Sequence, residues 1–275
     1  MKKIPQDIVG NIAILKFPRR TLWITKKLKA RKFLKENKNA TTVVEKIEGF
    51  SGELRTLKTK HLTGIKTKQA IYKENDCIFK FNIDKSYFSP RLSNERKVIA
   101  DEVAKLCKKK NTKIGSAPTN NKNKSVRILI MFAGISPYPI IIANKLKQAK
   151  KQAKIISNEL NKKANEESKK NIALNRLQNY ITLINGDAKK LPSKIKDKFD
   201  IILMPRPNLK NTFLKTALKL SRKGTTIFYH GFGTKESVLE EIKKDTKNKI
   251  GKIKIRKAGD IGPYAYRWQA QFKVR

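Results

Sequence analysis

A chain of 275 residues with 39% hydrophobic composition is long enough for a sizeable core and two domains. It is too apolar for a disordered basic tail. Its 65 Lys and Arg against 22 Asp and Glu leave a formal net charge of +43, and a compact domain so charged repels itself unless a polyanion such as nucleic acid is near.

Apolar and polar residues alternate around 7–15, which predicts a short hairpin turning at Gly10-Asn11. Residues 21–37 (TLWITKKLKARKFLKEN) predict a basic amphipathic helix, and 41–47 and 76–83 predict strands. Together, 1–84 make a small α+β domain. Val98, Ile99, Val103 and Leu106 recur at helical spacing, so a helix is expected over 93–107, capped by Ser93 or Asn94. The polar stretch 108–125 is a loop. Strands and helices then alternate. The strands are expected at 126–132, 153–158, 181–185, 199–204 and 225–230, and the helices at 138–149, 161–178, 209–222 and 235–247. Segments 250–257 and 265–274 close the chain as an antiparallel pair. This order implies an α/β fold with a mostly parallel, doubly wound sheet over 85–275.

Ligands in such sheets bind at the carboxyl ends of the strands. The first strand ends in Phe132-Ala133-Gly134-Ile135-Ser136-Pro137, where glycine lets backbone approach a ligand. The second ends in Asn158-Glu159-Leu160, and an ionised carboxylate there accepts from both hydroxyls of a ribose. Asp187, after the third, suits an exocyclic amine of adenine. Pro205-Arg206-Pro207, after the fourth, has fixed backbone geometry and offers carbonyls to a planar base. Each piece taken alone is equally a turn, a cap or a helix-start acid.

Two cysteines, Cys77 and Cys107, and two histidines, His61 and His230, support neither a disulfide framework nor a metal cluster. Residues 1–20 carry no signal-peptide core, and no apolar run reaches the ~18 residues that span a bilayer. The expectation is a cytoplasmic, monomeric protein with no membrane partner. Lys26, Lys27, Lys29 and Arg31 of the basic helix are the candidate contacts to RNA phosphates. The Lys-rich 243–257 is a weaker candidate.

Seven segments carry a family resemblance: DIVGNIAILKFP (7–18), GELRT (52–56), YFSPRLSNER (87–96), MFAGISPY (131–138), KKNIALNRL (169–177), GDAKKLP (186–192) and GPYAYRWQAQFKV (262–274). On these the chain resembles the archaeal–eukaryal tRNA guanine-37 methyltransferase family, class I enzymes that use S-adenosylmethionine. The resemblance implies a Rossmann-like catalytic domain behind the smaller N-terminal one. It implies a tRNA substrate and no metal. Arg55 and Glu95 would be the catalytic pair. Arg96, Glu159, Leu160, Asp187 and Ala188 would hold the cofactor, with the Phe132–Pro137 turn, including Gly134 and Ser136, around its methionine part. The chain is expected to lack the family's further N-terminal module for the tRNA elbow. Glu95 suits a general base that takes the N1 proton of guanine, and Arg55 suits the charge that then builds on O6.

Three positions depart from the family pattern. Ile130 stands where an acidic residue ends the first strand. Ser136 replaces a glycine of the turn, and its hydroxyl is a candidate donor to the cofactor carboxylate. Pro205 stands where the guanine-methylating branch has Asn. The last change resembles the archaeal branch that methylates 4-demethylwyosine, a tricyclic base, at carbon 7 in position 37 of tRNA-Phe. Guanine-37 and 4-demethylwyosine-37 both stay open as targets. So do two readings of another kind, a degenerate methyltransferase that only binds structured RNA and a methyltransferase for rRNA.

Overall fold

A computed structural model describes residues 6–52, 54, 56–112, 125–247, 249–262 and 265–275. It opens with the expected hairpin, β1 (Gln6–Val9) and β2 (Ile12–Leu15), turning at Gly10-Asn11. Helix α1 (Trp23–Glu36) leads into β3 (Thr42–Ser51), parallel to β2, and β4 (Thr56–Gly64) returns antiparallel. Ala30, Phe33 and Leu34 of α1 cover one face of this four-stranded sheet, against Ala13, Leu15, Val43 and Leu62. Its other face joins the main core through Ile12, Ile14, Val44 and Leu57.

β4 was not expected, because its apolar residues do not alternate. Register shifts in its pairing with β3 leave only Leu57 and Leu62 buried among Lys and Thr. β5 (Gln69–Glu74) was also missed, since its buried positions are Ala70 and the polar Glu74. It pairs with the expected β6 (Cys77–Asn82) through a two-residue turn, Asn75-Asp76, with φ of 47° and 59°, the left-handed pair that suits a hairpin. Gly10 is required where this hairpin meets the first, because a Cβ there would lie 1.9 Å from the Ile71 carbonyl oxygen.

The second sheet has seven strands. They are β7 (Val126–Ile130), β8 (Ala153–Glu159), β9 (Ile181–Asn185), β10 (Phe199–Met204), β11 (Ser221–Gly233), β12 (Lys254–Gly262) and β13 (Ala265–Lys273), in the order β12-β13-β11-β10-β7-β8-β9. The five from β11 to β9 run parallel, and β13 and β12 close the edge antiparallel, as expected. Alternate residues of β7 face opposite ways: Ile128 and Ile130 enter one core, Leu129 and Met131 the other. One face carries α2 (Ser93–Thr112), α3 (Pro137–Gln148) and α4 (Lys162–Leu174). The other carries the short α5 (Leu191–Lys194), α6 (Leu214–Lys219) and α7 (Lys235–Thr246). The helix expected over 209–222 shrinks to α6. Asn211 accepts from the Phe213 amide in a turn, and Phe213 is left-handed at φ 59°, so the helix starts late. α2 runs past the expected 107 to Thr112. No helix among the described residues is long and apolar enough to cross a membrane.

The β5–β6 hairpin is bound to the second sheet by side chains of α4 and its C-terminal cap. The amides of Asn82, Lys80 and Ile78 donate to Glu167, Asn171 and Asn175 at 2.7, 2.8 and 2.9 Å. Asn175 also donates back to the Ile78 carbonyl at 2.7 Å. The geometry works because two residues of a strand rise about 6.7 Å and four of a helix about 6 Å, so the two repeats stay in step. Asn171 is wholly buried. Asn171→Ala strands the Lys80 amide, and the expected loss is about 1–3 kcal/mol, read from the midpoint of chemical denaturation.

Candidate active site

A cleft open to solvent lies at the carboxyl ends of β7, β8, β9 and β10. The turn after β7 forms its floor. Phe132, Gly134 and Ser136 are all left-handed, with φ of 57°, 58° and 65°. Three such residues in five turn the backbone sharply into α3, where Pro137 takes the first helical position. Phe132 and Gly134 line the cleft. Ser136 does not: it is fully buried, and its hydroxyl is engaged with those of Ser157 and Ser168 at 2.8 and 3.0 Å. Ser168 in turn donates to the Gly134 carbonyl. The Ser136 hydroxyl thus braces the turn from within and is not offered to a ligand. Ile130 is equally buried, part of the core.

Glu159 ends β8 on the cleft wall. Its Oε2 accepts from the Gly134 amide and its Oε1 from the Asn161 amide, both at 2.7 Å. The carboxylate thereby ties two strand ends together. Burial pushes its pKa up, against the backbone hydrogen bonds that favour the ion. Leu160 is partly exposed beside it. Asp187 caps the turn Ala188–Lys190 by accepting from the Lys189 amide at 2.9 Å, and Asp187 and Ala188 both line the cleft. A carboxylate for a diol, a second acid on the neighbouring strand and the rings of Phe132 and Phe213, 4.8 Å apart, suit an adenosine-bearing cofactor.

Arg96 borders the cleft, but its guanidinium is buried and committed. It forks onto Glu74 of β5 at 2.5 and 2.6 Å, donates to the Ser89 carbonyl at 3.0 Å and lies 4.9 Å from the Phe88 ring centre. It holds the wall that Tyr87, Phe88 and Ser89 build. On the opposite wall Pro205 and Pro207 face the cleft, and Arg206 between them is 2% exposed. Arg206 donates to Tyr229, the Leu209 carbonyl and Glu241, at 2.8, 2.8 and 2.7 Å. Pro205, Arg206 and Pro207 all border the cleft, with the Arg206 guanidinium committed to Tyr229, Leu209 and Glu241.

Of the expected catalytic pair, only Glu95 lies among the described residues. Arg55 lies outside the described residues. Glu95 is 5% exposed and is not on the cleft wall, although Leu92, Arg96 and Tyr138 around it are. Its partners are His230 and Arg256. Burial alone would raise its pKa, but the hydrogen bonds from His230 and Arg256 and the charge of Arg256 outweigh it and hold Glu95 below the ordinary carboxylate range. Neither partner was picked from the sequence. Arg256 lay hidden in a run of basic residues, while His230 sits at the carboxyl half of a parallel strand, a position that could have flagged it. Of the basic helix, Lys29 and Arg31 are exposed. Lys26 instead pairs with the buried Glu45 at 2.6 Å, and Lys27 lies 5.2 Å from the Trp23 ring centre. Removing Arg206 leaves the Tyr229 hydroxyl without its donor and Glu241 with that hydroxyl in place of the guanidinium. Arg206→Ala should cost about 2–4 kcal/mol in chemical denaturation, and Arg206→Lys less, since charge without the fork recovers part of the network.

Comparison with known proteins agrees with this geometry. Residues 70–256 match the TRM5/TYW2 methyltransferase domain. The chain is 29% identical to the tRNA (guanine(37)-N(1))-methyltransferase Trm5b of Pyrococcus abyssi, over 98% of this chain and 74% of the relative. It is 32% identical to the tRNA (guanine(37)-N(1))/4-demethylwyosine(37)-methyltransferase Taw22 of Nanoarchaeum equitans, over 95% of this chain and 96% of the relative. Its fold superposes on the crystal structure of Methanocaldococcus jannaschii Trm5 in complex with adenosine with a TM-score of 0.77 and 25% identity, covering 99% of this chain and 74% of that one. The resemblance carried by GELRT, YFSPRLSNER and GDAKKLP is thus a true kinship, and the chain belongs to the TRM5/TYW2 methyltransferase family.

Proposed function

We propose that this protein transfers a methyl group from S-adenosylmethionine to the base at position 37 of tRNA. The observation that carries the reading is Glu159, a carboxylate held by backbone amides at the cleft wall, at the end of β8, where a ribose hydroxyl would meet it. Asp187, one strand along, would receive the adenine amino group. When bound, the cofactor supplies a methyl on a sulfonium. The protein's own part is to orient the base, exclude water and move one proton. N1 of guanine carries a proton and is no nucleophile until it departs. Glu95, kept ionised, is the base for it, and Arg55 donates to O6 as charge gathers there. The target has to leave the anticodon loop to enter the cleft, as for other base-modifying enzymes. The same acids in place argue against a degenerate protein that only binds RNA.

A second target has its own support. Pro205 and Pro207 make a flat, apolar wall with no amide side chain to read a purine edge. Such a wall also accepts a tricyclic base, and the Nanoarchaeum relative is named for both guanine-37 and 4-demethylwyosine-37. The acceptor is then tRNA-Phe, and we assign a cytoplasmic monomer to the work. Residues 1–84 would grip the RNA and 85–275 would carry out the transfer, with the β5–β6 hairpin as the joint between them.

Purified protein and S-adenosylmethionine should be incubated with a tRNA-Phe transcript and with tRNA-Phe bearing 4-demethylwyosine, followed by nucleoside mass spectrometry. One added methyl on either base is expected, with Glu95→Gln abolishing it on guanine. No methylated nucleoside from either substrate would sink the proposal. The grip on RNA has a separate test. Replacing Lys29 and Arg31 by Ala should weaken tRNA binding and reduce the slope of log K against log salt by roughly one for each phosphate no longer neutralised. Lys26→Ala should instead lower the melting temperature, because it strands the buried Glu45.

A further inference from the structure

What surrounds Glu95 matters if Glu95 is the base, and the following rests on that reading. Glu95 lies in the first turn of α2, yet its oxygens are held by β11, inside the sheet, and by β12, its antiparallel edge strand. Arg256 of β12 donates Nη1 to Oε2 at 2.6 Å and Nη2 to Oε1 at 3.0 Å, a flat fork on a flat carboxylate. His230 of β11 lies 3.0 Å from Oε1 through Nε2. This ring is wholly buried, and burial holds its pKa down against the pull of Glu95. A neutral ring with its proton on Nε2 makes the bond, and Nδ1 then has no partner among the described residues. An ionised carboxylate has about four lone-pair positions. Arg256 uses one on each oxygen and His230 a second on Oε1, so among the described residues one remains, on Oε2.

The other charged or titratable groups facing this cluster are Tyr138 from α3, Arg96 from α2 and Arg267 from β13. None of them has a hydrogen bond to Glu95 among those described. Arg96 is committed to Glu74 and Ser89. Tyr138 lines the cleft, its ring centre is 6.2 Å from that of His230, and its buried hydroxyl has no partner among the described residues.

We infer that Arg256 and His230 are positioning residues of the methyl transfer: they hold Glu95 as an oriented carboxylate with a single lone pair on Oε2 left to take the proton of the target base. Without them a carboxyl group buried to 5% exposure would keep its own proton, because no other hydrogen bond among the described residues offsets the loss of water. The step then balances. The N1–H bond of guanine breaks as Oε2 takes the proton. The electron pair on N1 forms the bond to the methyl carbon, and the carbon–sulfur pair leaves with the thioether. The proton passes to water when the product departs.

Arg256 has a competing role to exclude. Its side chain is 35% exposed, so an RNA phosphate could be its partner instead. Single-turnover methyl transfer to guanine-37 should be measured against pH for the parent, Arg256→Gln, Arg256→Lys and His230→Leu, at saturating cofactor and tRNA. Removing Arg256 should move the acid limb to higher pH. The rate at about pH 6 divided by that at about pH 8 should then fall roughly tenfold below the parent ratio for Arg256→Gln and roughly threefold for His230→Leu. KM for tRNA should stay within about threefold of the parent, since removing a phosphate partner from a long interface would weaken binding at every pH. Arg256→Lys, which keeps a positive charge, should fall between, and it decides the case if Arg256→Gln does not bind the cofactor in calorimetry. A loss equal at every pH, or a raised KM with an unchanged profile, would overturn the inference. Turnover retained by Glu95→Gln would instead remove the base assignment on which it rests, so the two failures are distinguishable.

Discussion

Three side chains on one helix and its cap finish the edge of a hairpin, and much of the cleft depends on that join. Glu167 and Asn171 of α4 and Asn175 at its C-terminal cap stand in for a strand along β6. At the other end of the same helix, Asn161 donates its backbone amide to Glu159 and its side-chain amide to the Lys85 carbonyl at 2.9 Å. The hairpin also carries Glu74, which holds Arg96 and with it the Phe88 wall. One helix therefore sets the distance between the carboxylate at the end of β8 and the wall across from it. Helical and extended repeats match over three rungs, so the join is made without strain.

The distribution of charge follows a physical rule. Three acids near the cleft are met by arginines, the buried Glu74 by Arg96, the buried Glu95 by Arg256 and the half-buried Glu241 by Arg206, whereas Glu159 is met by backbone amides. A guanidinium fork satisfies a carboxylate in two places and is less strongly hydrated than an ammonium, so it suits low-dielectric surroundings. Lysines carry most of the net positive charge, and most of them lie outside these pairs. Lys26 with Glu45 is the instructive exception, a lysine that reads as a phosphate contact on a helical wheel and is drawn instead to the one buried acid beneath it.

The alternation of β-branched runs with helical spacing over 126–247 was readable because buried parallel strands and amphipathic helices have distinct periods. The strand ends were readable too, since a topological rule puts ligands there and Glu159 and Asp187 follow at the right places. β4 and β5 were not, because bulges break one pattern and a buried Glu74 breaks the other. KKNIALNRL showed itself only as a family signature. In the fold it is a device, since Asn171 and Asn175 are the acceptors that fasten the hairpin.

What the sequence determined by itself was therefore the doubly wound sheet, its cofactor edge and the kinship. These rest on local periods and on residues close together in the chain. Only the tertiary structure decided what each polar side chain faces. Ser136 turned inward to two other serines, Arg206 bent under its own turn, and Glu95 found His230 and Arg256, 135 and 161 residues away. Such pairings follow from burial. A charged or hydroxyl group removed from water takes whatever partner the packing brings within about 3 Å, and no local pattern records which one that will be.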